Sequence, residues 1–597
     1  MMQKNNSFMN AKSLSLHISL TVVSFLSSTL VMPMLCTFLI ILGFTIKRRS
    51  TTSLILLLFS YGALKFFFDI FLSWNISQSL ANVGITIVGL HLHSRELVRQ
   101  EFLSLRVRQG ILSILSLFSL FTLLGGDKRI MNNLLVGYDN VGHFSMIKVI
   151  AECQGFLTNC EKTGIATPEG YRYYPQYFHF VFSSFFESLE SAQQLKIYFV
   201  ISTIVFLLNV NLAIKIIDSK KFRKFSISTK DSGNKGKRKP PIKKSNLQKK
   251  LLLTVFSILS ALSITYIHSL GYINLEFSLL ALLTMIIISQ QSTNKLQVLF
   301  LFVLAAASSS AYPLMSLPNT AVLFFIVYQI YKQTETKIPL YFYSFTYLIF
   351  LGNLILNNLN SNFRYMTTSG GNIFIVLVVG ILLVSYFVVR FPRVDSLRSE
   401  FNSLEIVDFA FVTYGFYSIL LLLYNYIKGE SIGYYTQKMA MVVFVFAIPV
   451  INRIMNDLDL FNTLFKNFSL KVVCTVLVFS LVFGNSYGAL ISAYRSNFTF
   501  LINPIHYLSE FFSLRPKNVS QSERILLSAN LPGYRGESLV MKSATGPQDT
   551  IWVNAIRSTW STQVDNGLQQ GLLQESKKEY LTTIQIFDNF EIAVLKK

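Results

Sequence analysis

The chain has 597 residues, of which 52% are hydrophobic, 14% aromatic and only 14% charged, with a mean hydropathy of +0.47 and a formal net charge of +23. Four cysteines exclude a disulfide scaffold, and the hydrophobic content excludes both a disordered chain and a string of soluble domains, which carry roughly 25% charged residues. Greasy and basic together describe a chain that crosses a membrane many times and keeps Lys and Arg on one side.

Runs long and apolar enough for spanning helices lie near 17–46, 51–74, 77–94, 110–126, 196–217, 251–269, 272–290, 296–313, 319–333, 338–357, 372–391, 406–427, 437–454 and 471–494. The first passes through Pro33 and reads as one kinked helix or two short ones. It is too long, and too closely followed by another span, for a secretory signal peptide. Basic residues then give the orientation. Lys47, Arg48 and Arg49 follow the first run, Arg95 to Arg108 follow the third, and 218–250 carries +11 of the +23. The loop 127–195 holds five basic and seven acidic residues. Excess positive charge marks cytoplasmic loops, so 127–195 is expected outside, and alternation puts Lys332–Lys337 and Arg390–Arg398 inside. The 218–250 stretch cannot bury a core and is expected to be a disordered cytoplasmic linker touching anionic headgroups rather than nucleic acid. Beyond residue 495 the hydrophobic density falls. Short apolar runs at 538–541, 551–553 and 592–595 read as strands of a small α/β or α+β domain. The expected architecture is an all-α polytopic membrane protein of about 13–15 transmembrane helices with that outer domain at its C-terminal end. The division is 1–109 for the first helices, 110–494 for the core and 495–597 for the outer domain.

Chemistry concentrates in the 127–195 loop. The segment GYDNVGHF sets Asp139 and His143 at i, i+4, which puts both on one face if the segment is helical. Asp139 there suits a general base and His143 a group that orients it or holds a phosphate; the pair also reads as a capping or solvated pair. YRYYPQYFHF follows, with Arg172 and His179 among tyrosines that include Tyr174. Pro175 favours a helix start, and the segment reads either as an interfacial aromatic belt or as a half-buried wall for a lipid-linked sugar. Cys153 and Cys160 form a disulfide candidate on the oxidising side. Near the 437–454 run, Tyr434, Tyr435 and Lys438 stand at an outer helix mouth, where Lys438 either pairs with a carrier phosphate or snorkels. Lys65 and Asp69, i, i+4 within an apolar run, read as a neutralising pair or a proton-coupled transport element.

The early outer loop with Asp139, the Tyr173–Tyr174–Pro175–His179 element and the Tyr434–Tyr435–Lys438 element resemble bacterial GT-C membrane glycosyltransferases, in particular actinobacterial arabinofuranosyltransferase-like members. The resemblance implies an inner-membrane enzyme with its active site on the extracytoplasmic face. Such an enzyme moves a sugar from a polyprenyl-phosphate donor to a glycan, lipid or protein acceptor. Asp139 would be its base, and His143, Arg172, Tyr174, His179, Tyr434, Tyr435 and Lys438 would contact substrate or lipid phosphate. A divalent cation such as Mg or Mn is a possible partner. Family members often carry two neighbouring acids in this loop, whereas Asp139 is followed by Asn140 and the nearest downstream acid is Glu152. The alternatives are a surface-polysaccharide polymerase or ligase, and a lipid-linked oligosaccharide flippase or transporter. No inverted repeat of the transporter kind stands out.

Overall fold

The computed structural model describes residues 51–94, 105–125, 140–156, 176–187, 191–218, 246–290, 295–333, 338–360, 373–390, 405–427 and 434–457, four strands beyond residue 520 and a few isolated positions. The helices are α1 (Thr51–Asp69), α2 (Trp74–Ser94), α3 (Leu105–Leu124), α4 (Asn140–Cys153), α5 (Tyr177–Ser183), α6 (Ser191–Asp218), α7 (Asn246–Ser269), α8 (Ile273–Ser289) and α9 (Lys295–Ala311), then α10 (Ser316–Gln333), α11 (Ile338–Asn360), α12 (Ile373–Arg390), α13 (Ile406–Ile427) and α14 (Tyr434–Asp457). A short 3-10 turn, Pro313–Met315, joins α9 to α10. Twelve of the fourteen expected runs are thus helices, most with ends within a few residues of the reading; 471–494 and all of 17–46 but Thr37, Ile40 and Ile41 lie outside the described residues.

Among the described residues, six helices are long and apolar enough to cross a membrane, and four apolar helices are shorter. Their outer surfaces agree. On α12, Leu377, Ile381, Val384 and Val388 repeat at helical spacing and are exposed, as are Phe342, Phe345 and Ile349 on α11. A water-facing helix reverses this pattern, whereas a lipid-facing one requires it. In contrast, α8 is buried on every side from Ile273 to Ile288, as a helix that is apolar all round must be.

Lipid offers no hydrophobic gain for helix association, so close packing and interhelical hydrogen bonds hold the bundle. Ser278 on α8 and Ser308 on α9 each donate to the other's backbone carbonyl at 2.9 Å. Asn319 on α10 donates to Ser308 Oγ at 2.6 Å, and Tyr414 on α13 donates to Asn319 Oδ1 at 2.5 Å. Bonds of this kind average about 0.6 kcal/mol each. Where α13 begins and α14 nears its end, Arg453 is ion-paired with Asp408 and, at 3.1 Å, with Glu405.

Four strands follow, β1 (Arg524–Ala529), β2 (Ser538–Lys542), β3 (Tyr580–Phe587) and β4 (Phe590–Leu595), paired antiparallel in the order β2-β1-β4-β3. The expected strand at 551–553 lies outside the described residues.

Candidate functional site

The connection between α7 and α8 is only three residues long, Leu270 to Tyr272. Gly271 sits at φ +75° and donates its N–H to the His268 carbonyl at 2.9 Å; Tyr272 then accepts from the Glu276 N–H at 2.9 Å to start α8. Glycine is required twice over. The left-handed backbone disfavours a side chain, and a Cβ would stand 2.9 Å from Asn140 Cγ and 3.0 Å from the Asn140 backbone nitrogen. The first residue of α4 therefore lies directly against this turn. Tyr198 on α6 fixes it from another side, donating to Asn140 Oδ1 at 3.1 Å.

The next residue of the same turn, Tyr272, meets Lys438 on the first turns of α14. The Lys438 ammonium lies 4.0 Å from the Tyr272 ring centre and 5.6 Å from those of Tyr312 and Tyr435, and the residue is only 3% exposed. It does not snorkel; its head is held inward by three aromatic faces, each worth about 0.5–2 kcal/mol to a cation. One dipeptide, Gly271–Tyr272, therefore touches both the residue that follows Asp139 and the site's lysine. Asp139, Arg172, Tyr174 and Cys160 lie outside the described residues, as does the side chain of Tyr434, the first residue of α14.

His143 and His179, 36 residues apart in sequence, come together. His143 Nδ1 and His179 Nε2 are 2.9 Å apart, both residues are buried, and one ring donates to the other. Phe178 lies edge-on to both rings. His179 rides on α5, which starts at Tyr177, two residues after Pro175. The half-buried wall expected of this segment is instead buried from Tyr177 to Ser183, because α5 packs against both α1 and α4. Gly62 of α1 permits this approach, since a Cβ there would meet Val181 at 2.5 Å and the Tyr177 hydroxyl at 2.8 Å. Tyr177 donates to the Phe59 carbonyl at 3.3 Å, and its burial against α1 raises the phenol pKa, as removal from water disfavours the phenolate. Cys153, at the end of α4, is disulfide-bonded.

Further along α1, Lys65 is fully buried. It donates to Asp69 Oδ2 at 2.9 Å, and its ammonium stands 3.1 Å from the Trp74 ring centre and 3.9 Å from that of Phe180. This clamp ties α1 and α2 to α5 and so sets the helix that carries His179.

Tyr272, Tyr312 and a second carboxylate–imidazole pair are not evident in the sequence but are part of this end of the helices. His268 Nδ1 lies 3.0 Å and 3.2 Å from the two Glu276 oxygens, under a stacked Phe206 ring, and Asn209 donates to the Glu276 carbonyl at 2.8 Å. The pair spans the Gly271–Tyr272 turn and fastens its two ends. A glutamate inside an otherwise apolar run was the available signal.

Among the described residues no three His, Cys, Asp or Glu side chains converge on one point. The two imidazoles that do meet are bonded to each other, which does not suit Mg or Mn, ions that take oxygen ligands. The carboxylates of Asp139 and Glu152 lie outside the described residues. No family model matches the sequence, and neither a curated protein nor a solved structure matches it.

Proposed function

We propose that the protein is a polytopic membrane glycosyltransferase of the GT-C type, taking a sugar from a polyprenyl phosphate and passing it to an extracytoplasmic acceptor hydroxyl on a glycan, lipid or protein. The supporting observation is the shared turn: Asn140, next to Asp139, packs on Gly271, and Lys438 packs on Tyr272. Asn140 and Lys438, far apart in the sequence, thereby meet the same turn, which supports a reading in which Asp139 and Lys438 act together. In this reading Asp139 takes the proton of the acceptor hydroxyl as its oxygen attacks the anomeric carbon. The bond from that carbon to the phosphate oxygen breaks, and the carrier phosphate leaves with the electron pair. Lys438 offsets the charge gathering on it, with Arg172 as a second cation. A single displacement inverts the anomeric centre. The His143–His179 bond holds α4 against α5 and so keeps the start of α4 in place. The 127–195 loop faces the extracytoplasmic side of a cell membrane, and residues 495–597 form an outer domain that receives the acceptor.

A transport role would use Lys65 and Asp69. Lys65 is occupied by Asp69, Trp74 and Phe180 together, an arrangement suited to a clamp between helices. The test of the enzymatic reading is Asp139→Asn. Transfer from a polyprenyl-phosphate sugar is lost while expression and membrane insertion persist; full activity in that variant refutes the mechanism.

A further inference from the structure

Helices α8 and α9 run antiparallel and touch at Ser278 and Ser308. One turn nearer the connecting loops, Asn274 precedes Ser278 by four residues and Tyr312 follows Ser308 by four, so the two positions oppose each other across the same interface. Tyr312 is a wall of the Lys438 cage, and Asn274 is two residues past Tyr272, another of its walls. Asn274 is 1% exposed, and neither its Nδ2 nor its Oδ1 has a hydrogen-bond partner. Ser316, four residues past Tyr312 and 6% exposed, likewise has an unpartnered hydroxyl oxygen. Buried carboxamides are almost always bonded, and one left open at both ends, on the α8–α9 interface that also carries Tyr312, takes a partner that supplies both a donor and an acceptor, as a water does. A phosphate oxygen supplies only acceptors. A pair of sugar hydroxyls supplies both.

We propose that Asn274, assisted by Ser316, is the sugar-reading wall of the Lys438 site: Lys438 holds the phosphate, and the Asn274 carboxamide bonds ring hydroxyls of the sugar attached to it. This rests on the carrier-phosphate reading of Lys438 and adds the residue that discriminates between sugar heads. Asn274→Leu keeps the number and branching of the side-chain heavy atoms and removes two unbonded polar groups, a gain that offsets the cost of its bulkier methyl groups.

The test uses the full chain in lipid nanodiscs, titrated with farnesyl phosphate and with farnesyl-phosphoryl glucose, galactose, mannose and arabinose. Wild type binds at least one conjugate about tenfold more tightly than farnesyl phosphate, as expected where a site's polar groups are otherwise left unpaired. In Asn274→Leu that conjugate falls to the level of farnesyl phosphate, farnesyl phosphate itself stays within about twofold, and the melting temperature is not lowered. Ser316→Ala weakens the same conjugate by a smaller factor. The proposal is overturned if wild type shows no preference for any conjugate, or if the preference survives both substitutions, as it would were these groups only in contact with water. Failure of the underlying reading looks different: farnesyl phosphate then does not bind, or binds equally well in Lys438→Met.

Discussion

Gly271→Ala is the perturbation with the most calculable outcome. An alanine at φ +75° carries the left-handed penalty of about 1–2 kcal/mol. Its Cβ would also stand 3.0 Å from the Asn140 backbone nitrogen and 2.9 Å from the side-chain Cγ, and backbone cannot swing away as a side-chain tip can. Overpacking of that kind costs about 1–3 kcal/mol more, for a total of about 2–5 kcal/mol. The only relief is to move the start of α4 off the turn, which displaces the peptide unit that follows Asp139. A shift of about 1 Å in a reacting group can cost on the order of a hundredfold in rate. Two internal controls exist. Gly352 on α11 and Gly380 on α12 have nothing within 4 Å of a built Cβ, so alanine there stabilises by about 0.5–1 kcal/mol through helix propensity. Thermal melts of the three variants in one detergent rank Gly271→Ala below wild type and the other two at or above it. A Gly271→Ala protein that melts with wild type and transfers sugar at the wild-type rate refutes the role given to this turn.

Lys65→Met leaves Asp69, already lacking a bond at Oδ1, as an uncompensated buried carboxylate and costs about 3–5 kcal/mol; adding Asp69→Leu restores most of the loss, and melts of the single and double variants measure the rescue. Arg453→Ala strands the buried Asp408 in the same way and lowers stability by about 3 kcal/mol without changing ligand binding, since it lies far along α14 from Lys438. Peptide mapping without reduction recovers Cys153 linked to Cys160; a free Cys153 thiol contradicts the pairing.

The helices were legible because their apolar runs are long and interrupted by charge or by Gly and Pro, and twelve of them appear nearly where the runs lie. Individual site residues were legible by type. His143, His179 and Lys438 stood out as polar groups in aromatic or apolar company, and each is now found buried with aromatic neighbours. Their partners were not legible, because pairing of distant helices leaves no local periodicity. Nothing near position 143 announces position 179, and nothing near 438 announces 272 or 312. Asn274 was invisible for a further reason. A single Asn in an apolar run looks like ordinary tolerance until its surroundings are known to offer it no hydrogen bond.

In the proposed enzyme Asp139 and Lys438 serve one pocket. The most direct measurement is an experimental density map of the full chain in nanodiscs with farnesyl phosphate bound. The expected result is phosphate density within hydrogen-bond reach of the Lys438 ammonium, with the Asp139 carboxylate lining the same cavity. Phosphate bound elsewhere, or an Asp139 carboxylate more than about 20 Å from Lys438 with no shared cavity, contradicts it, since a sugar and its phosphate must fit a single pocket of ordinary ligand size.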